Sequence, residues 1–315
     1  MTETKADNIP DPELDRAQVW LVMSPAKDHQ NDQLVCSDLP DEGRMVVKIE
    51  VIPLIPENKG KSATSGESAI LKRLQHDHIV RCIDSGECEN SDYQDDSGYL
   101  IKVQQYFLKM EYVGDNLRTW LNNKGTSPGK LVSILADFSC QCFGALAYLQ
   151  ECGIVHCDIK PENLLVAESP DGKAIIKIAD FGFAYDAGKE GFKVCKNGEG
   201  AAISGSAQFA APETKPKHGK EQTQTHKSDI YSFGLTIASI LCNYAVIDAG
   251  YMRIPDGTDR ELTLKKKDIP MVQELVLLIE KTLSWEPESR VTASEAAEEA
   301  KELLVAAEAA GAGGR

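Results

Sequence analysis

Apolar and polar positions follow two different rhythms along this chain, and the change falls near residue 114. Before it, apolar residues come in short runs rich in β-branched and aromatic types: "VWLVM" at 19–23, "LVC" at 34–36 and "MVVKIEVIPLI" at 45–55. Such runs suit pleated strands, and the polar stretches "SPAKDHQND" and "SDLPDEG" between them predict hairpin connections. "GESAILKRLQ" then predicts a helix with Ala69, Ile70 and Leu74 as its apolar stripe and Ser65 as its cap. Strands are predicted again for "HIVRCID" and "YLIKVQQYFLKMEYV", with "GECENSDYQDDSG" between them as an exposed loop.

After Gly114 the period lengthens. Leu131, Leu135, Phe138, Cys142, Leu146 and Leu149 recur at intervals of three and four, the stripe of an amphipathic helix. "SDIYSFGLTIASILC" is apolar nearly all round and predicts a helix buried at the centre of a domain, and "PMVQELVLLIEKTL" carries a further helical stripe. A strand-rich first third followed by helices implies an α+β chain of two lobes with a cleft near residue 114. Residues 1–17 read as an acidic tail and 301–315 as an Ala/Gly-rich tail whose alanines prolong a helix until the glycines stop it.

Composition narrows the function classes. The chain has 315 residues, enough for a large core, and a net charge of −15. That charge argues against nonspecific nucleic-acid binding, which needs basic surface. The nine cysteines form no CxxC pair, so neither a zinc site nor a redox motif is expected, and reduced thiols are the simplest reading. The N-terminus has no apolar core of a signal peptide, and no apolar run approaches the roughly 20 residues that span a bilayer. A cytoplasmic protein without membrane insertion is the expectation, with the nucleus as the alternative.

Candidate chemistry lies in four separated places. Lys48 stands in the apolar "MVVKI", and Glu67 sits on the helix that follows. "HCDIKPENLL" at 156–165 packs a histidine, an aspartate, a lysine and an asparagine between apolar stretches. "DFG" at Asp180 to Gly182 follows "AIIKIA", and further on come "GSAQFAAPE" and "SDIYSFG".

In this order and spacing the motifs resemble those of the eukaryotic protein kinase domain, serine/threonine class, over about residues 18–300. The resemblance implies a bilobal fold with a small β-rich N-lobe (18–113) and a larger α-helical C-lobe (114–300). It implies ATP and Mg²⁺ as cofactors and transfer of the γ-phosphate to Ser/Thr hydroxyls of protein substrates. Lys48 would contact the α/β-phosphates, held by an ion pair with Glu67, while Asn163 and Asp180 supply oxygen ligands to Mg²⁺. Asp158 would take the acceptor proton, and Lys160 would set a cation near the γ-phosphate. Met110 falls at the gatekeeper place, the main chain at Glu111 and Val113 would meet adenine, and Asp115 the ribose. Glu213 would pair with Arg290, Asp229 would anchor the catalytic loop through its backbone, and His156 would pack that loop. Lys160 and Ser206 match the serine/threonine pattern, and Ser206 would also reach Asp158 and Lys160.

Two places depart from the family. The glycine-rich turn over the phosphates, roughly twenty residues before the strand lysine, is replaced by the glycine-free "SPAKDHQND", in which Lys27 offers a positive charge. Cys157 stands where most members have arginine, so control by a phosphate on the segment from Asp180 to Glu213 is not expected to run through it, although Ser204 remains a candidate phosphosite. The alternative reading is therefore a pseudokinase scaffold.

Overall fold

The computed structural model describes residues 17–23, 45–53, 62–94, 100–169, 172–188, 192–195, 207–215, 222–248 and 258–312. They fall into two compact units, one of residues up to 73 with 80–112, the other of 74–79 with 113 onward. "SPAKDHQND", "LVC", Lys27, Ser204 and Ser206 lie outside the described residues.

The first unit is an antiparallel sheet with one helix. Strands β1 (Ala17–Met23), β2 (Met45–Pro53), β3 (Cys82–Gln94) and β4 (Leu100–Glu111) take the order β1-β2-β4-β3. Helix α1 (Ala63–Leu71) packs on β2, β3 and β4. Its buried face is Glu67, Ser68, Ile70 and Leu71 with Leu74 beyond, whereas Ala69 is exposed. The cap is Ser62 rather than Ser65: the Ser62 hydroxyl accepts the Ser65 N–H at 2.9 Å. Nor do residues 86–94 of "GECENSDYQDDSG" form a loop, because β3 continues to Gln94 along β4 with two register shifts; 95–98 lie outside the described residues. A strand at the sheet edge can be this polar, since its ladder comes from β4 and burial is not required of it.

The second unit is mostly helical. α2 (Leu117–Lys124) starts at Asn116, whose side chain accepts the Thr119 N–H, and ends at Gly125 in the left-handed region. Five of the six stripe positions of α3 (Pro128–Glu151) are at most 1% exposed, and Leu146 is 3% exposed. This helix departs from the expectation that nothing here reaches spanning length, for its apolar window has a mean hydropathy of 1.4. Yet 56% of that window is buried within the fold, and the helix packs chiefly on α6 (Ala293–Ala312) and also on α4 (His226–Asn243). α6 thus carries the helix through the Ala-rich segment to residue 312.

α4 is buried continuously from Ser228 to Leu241, as an all-round apolar helix must be. Its start is set by a capping box of Thr225 and Ser228. Short strands frame the loops before it: β5 (Asp115–Asn116), β7 (Leu164–Glu168) and β8 (Ala174–Ile178) form one sheet, and β6 (Ile154–Val155) pairs with β9 (Tyr185–Asp186).

α4 meets the end of α5 (Val272–Thr282) at Gly234, where a Cβ would stand 1.9 Å from the Thr282 hydroxyl oxygen. That hydroxyl is bonded to the Ile279 carbonyl at 2.6 Å, so it cannot simply swing away without losing a buried bond. Gly234→Ala should therefore cost about 1–3 kcal/mol of overpacking despite alanine's better helix propensity. Urea unfolding of the variant beside the wild type measures this, and an unchanged or raised midpoint would refute the close approach.

Candidate active site

The site residues of the first unit meet across β2 and α1. Lys48, opposite Leu108 of β4 in the ladder, points its ammonium at Glu67, with Nζ to Oε2 at 2.7 Å. Their side chains are 2% and 0% exposed, so the ion pair offsets part of the cost of burying each charge. Met110 is buried in β4. Glu111, the last residue of that strand, donates its N–H to the Arg81 carbonyl and accepts the Arg81 N–H on its carboxylate at 2.8 Å.

In the second unit a single loop, from β6 to β7, brings three polar groups together. The Asp158 Oδ2 accepts from Lys160 Nζ at 2.6 Å and from Asn163 Nδ2 at 2.9 Å. Asn163 Nδ2 also donates to the Asp158 carbonyl at 2.8 Å. The nitrogen of the carboxamide is thereby committed to Asp158, which orients its oxygen the other way. Pro161–Asn163 forms a 3-10 turn that shortens the path from Lys160 to Asn163. Asp158 is buried and Lys160 half-buried.

What fixes this loop is Asp229, at the start of α4. Its two carboxylate oxygens accept the N–H groups of His156 at 2.7 Å and Cys157 at 2.9 Å. These bonds hold Cys157 at a φ of 69°, a left-handed conformation uncommon for a non-glycine residue. The Cys157 thiol turns back toward the Val155 carbonyl, 3.8 Å away. Burial pushes the Asp229 carboxyl up to about 7, against the two N–H donors that pull it down.

His156 joins the loop to "DFG". Its Nδ1 accepts the Asp158 N–H at 3.2 Å, and its Nε2 lies 3.0 Å from the Ala179 carbonyl. One nitrogen faces a donor and the other an acceptor, so the ring is neutral with its proton on Nε2. Burial lowers its pKa from the ordinary 6.5, outweighing the Ala179 carbonyl and the Asp180 and Asp158 carboxylates, which raise it. The ring also meets Phe181 edge-on at 4.7 Å. Asp180 precedes the 3-10 turn Phe181–Phe183 with a φ of 60°, a second left-handed residue at this site.

The frame behind the loop is closed by Arg290, which is 2% exposed. Both of its terminal nitrogens grip Glu213, at 2.6 and 2.7 Å. The remaining N–H groups reach the carbonyls of Lys227, Trp285 and Ser284, so all five donors are used. Ser228 adds its hydroxyl to Glu213 at 2.8 Å.

Other residues are less tightly held. Val113 is buried, whereas Asp115 is exposed on β5 and accepts from Asn123 Nδ2 at 3.2 Å. Glu162 pairs with Arg118 at 3.0 Å on the surface. Among the described residues no three His, Cys, Asp or Glu side chains gather as a metal cluster. Asn163 and Asp180 nevertheless are oxygen donors of the kind Mg²⁺ takes one or two of, completing its shell with phosphate and water.

This geometry has relatives. The family model for the protein kinase domain matches residues 36–300, and the chain belongs to that family. It is 31% identical over 188 residues to a probable serine/threonine-protein kinase of Dictyostelium discoideum, covering 59% of this chain and 25% of that protein. It is 32% identical over 170 residues to the serine/threonine-protein kinase PknB of Mycolicibacterium smegmatis, covering 53% and 23%. Against the tyrosine protein-kinase src-1 of Caenorhabditis elegans the identity is 23% over 220 residues, 70% of this chain and 36% of the other. The matches thus span roughly a quarter to a third of these relatives' length.

The neutral ring of His156 has a pH signature. Its folded pKa lies below 6.5, so as pH falls through that value the unfolded chain takes up a proton that the folded chain refuses. The contribution is fully present above 6.5 and is lost toward the lower folded value. Unfolding free energy should therefore drop less between about pH 7.5 and about pH 5.5 in His156→Gln than in the wild type. Equal drops in urea titrations at the two pH values would contradict a neutral buried ring.

Proposed function

We propose that this chain is an ATP-dependent serine/threonine protein kinase that transfers the γ-phosphate of Mg-ATP to hydroxyls of protein substrates. One observation carries the reading: a buried aspartate with a lysine and an asparagine on the same carboxylate oxygen, in a loop pinned by Asp229.

Phosphoryl transfer asks a protein to position groups and offset charge more than to do covalent chemistry. When bound, Mg²⁺ screens the phosphate charge and orients the transferred group. Asp158 aligns the acceptor hydroxyl and takes its proton as the new oxygen–phosphorus bond forms and the bond to ADP breaks. Lys160 keeps a cation beside that carboxylate, and Lys48, oriented by Glu67, offers another to the α/β-phosphates. Asn163 and Asp180 would supply the protein oxygens for the metal. At Glu111 the N–H is spent on Arg81, so an adenine contact there falls to the carbonyl. Lys160 two places after Asp158, and the higher identity to relatives named serine/threonine kinases, favour that acceptor class over tyrosine.

A second reading, a scaffold with weak or no transfer, is favoured by the glycine-free residues 24–32, which the family match leaves out by beginning at residue 36. The glycine-rich turn brings backbone N–H groups to the phosphates, and its loss weakens positioning while leaving base and metal ligands in place. The purified chain, given Mg-ATP with a radiolabelled γ-phosphate and a basic protein, should label serine and threonine. Asp158→Ala and Asp180→Ala should each lower the rate at least about 100-fold. Labelling that persists in both variants would trace the signal to a contaminant, and a silent wild type would decide for the scaffold.

A further inference from the structure

We propose that Glu50 is a positioning residue that sets the Lys48–Glu67 pair by gripping the N-terminus of α1. Glu50 is 0% exposed in the middle of β2, a costly place for a carboxylate unless something needs it there. Strand alternation puts residues 48 and 50 on one face, so the same side of β2 presents an ammonium and a carboxylate. Lys48 reaches Glu67. The Oε2 of Glu50 accepts the Ser62 hydroxyl at 2.7 Å and the Thr64 N–H at 2.8 Å.

Those donors belong to the first turn of α1. Ser62 is its cap and satisfies the Ser65 N–H, and Thr64 carries another of the N–H groups that a helix start leaves without a partner in the helix. A carboxylate there also meets the positive end of the helix dipole. The spacings are of the same order: two residues of strand advance about 7 Å, the three residues from Thr64 to Glu67 advance about 4.5 Å along the helix, and the long Lys48 and Glu67 side chains span the difference. Glu50 and Lys48 therefore hold α1 at two successive points, in antiparallel sense. Rotation or sliding of the helix that withdrew Glu67 from Lys48 would have to break the Glu50 bonds as well. The consequence for catalysis rests on the kinase reading, through the role given there to Lys48. The grip on α1 does not.

The test compares Glu50→Met, which removes the acceptor of both bonds at similar volume, with Glu50→Gln, whose amide oxygen can accept both. Reaction of the Lys48 amine with acetic anhydride, followed by mass spectrometry, reads the ion pair without reference to activity. Lys227, held on the Arg290 carbonyl, reports whether the second unit persists, and the urea unfolding midpoint of each variant reports whether the chain as a whole stays folded. Glu50→Met should raise Lys48 labelling about tenfold with Lys227 unchanged, and Glu50→Gln should stay within about threefold of wild type. In the active enzyme kcat/KM for ATP should fall about tenfold in the methionine variant and recover in the glutamine one. If Glu50→Met exposes Lys227 too, Ser62→Ala, which removes one of the two donors, decides by whether Lys48 alone becomes more reactive. Wild-type labelling of Lys48 in the folded variant, or faster labelling at unchanged kcat/KM, would overturn the proposal. A wild type without activity would sink the kinase reading and leave the labelling result to stand by itself.

Discussion

A carboxylate sealed from water, with two backbone N–H groups as its partners, organises the second unit. The bonds from His156 and Cys157 offset part of the burial cost of Asp229, and they fix the backbone from which Asp158 projects. Cys157 is drawn into the left-handed region as a result, a local cost offset by the two bonds. From there the ordering passes outward through short contacts: His156 to the Asp158 N–H and the Ala179 carbonyl, and Asn163 to Asp158. The loop is thus preorganised by its hydrogen bonds, which is what positioning chemistry requires.

The same logic appears at Arg290 and at Lys48. A buried ion pair is weak evidence for stability, since desolvation can cancel the attraction, but removing one partner alone costs about 3–5 kcal/mol. Such pairs specify where elements must lie. Arg290 ties the segment at Glu213 to the start of α4 and to the turn at Ser284 and Trp285. Lys48 does so for α1. In each case a charge that would be expensive to leave alone allows one arrangement of its neighbours.

Much of this was legible in the sequence where periodicity is long or spacing is distinctive. The stripe from Leu131 to Leu149 fits the buried face of α3, and the apolar run from Ser228 fits the buried α4. "HCDIKPENLL" announced its polar cluster because three reactive side chains rarely fall so close together. The misses have physical causes. β3 runs through a polar segment because its order comes from the β4 ladder and it occupies the sheet edge. Ser62 and Ser65 are equivalent as caps by composition, and the Glu50 contact distinguishes them only after folding. Glu50 itself was visible as a carboxylate two places beyond Lys48 in an apolar strand, yet its partners lie across the connection to α1. Gly234 carried no local sign of its contact with Thr282, which is remote in sequence.

The central claim, which rests on the proposed kinase activity, is that Asp229 creates the geometry in which Asp158 would act. Asp229→Asn tests it most directly, because both carboxylate oxygens face N–H groups and the amide NH₂ must oppose one of them. Steady-state phosphoryl transfer by the folded variant should show kcat lowered at least about tenfold, with KM for ATP within about threefold of wild type. A wild-type kcat in Asp229→Asn would contradict the account.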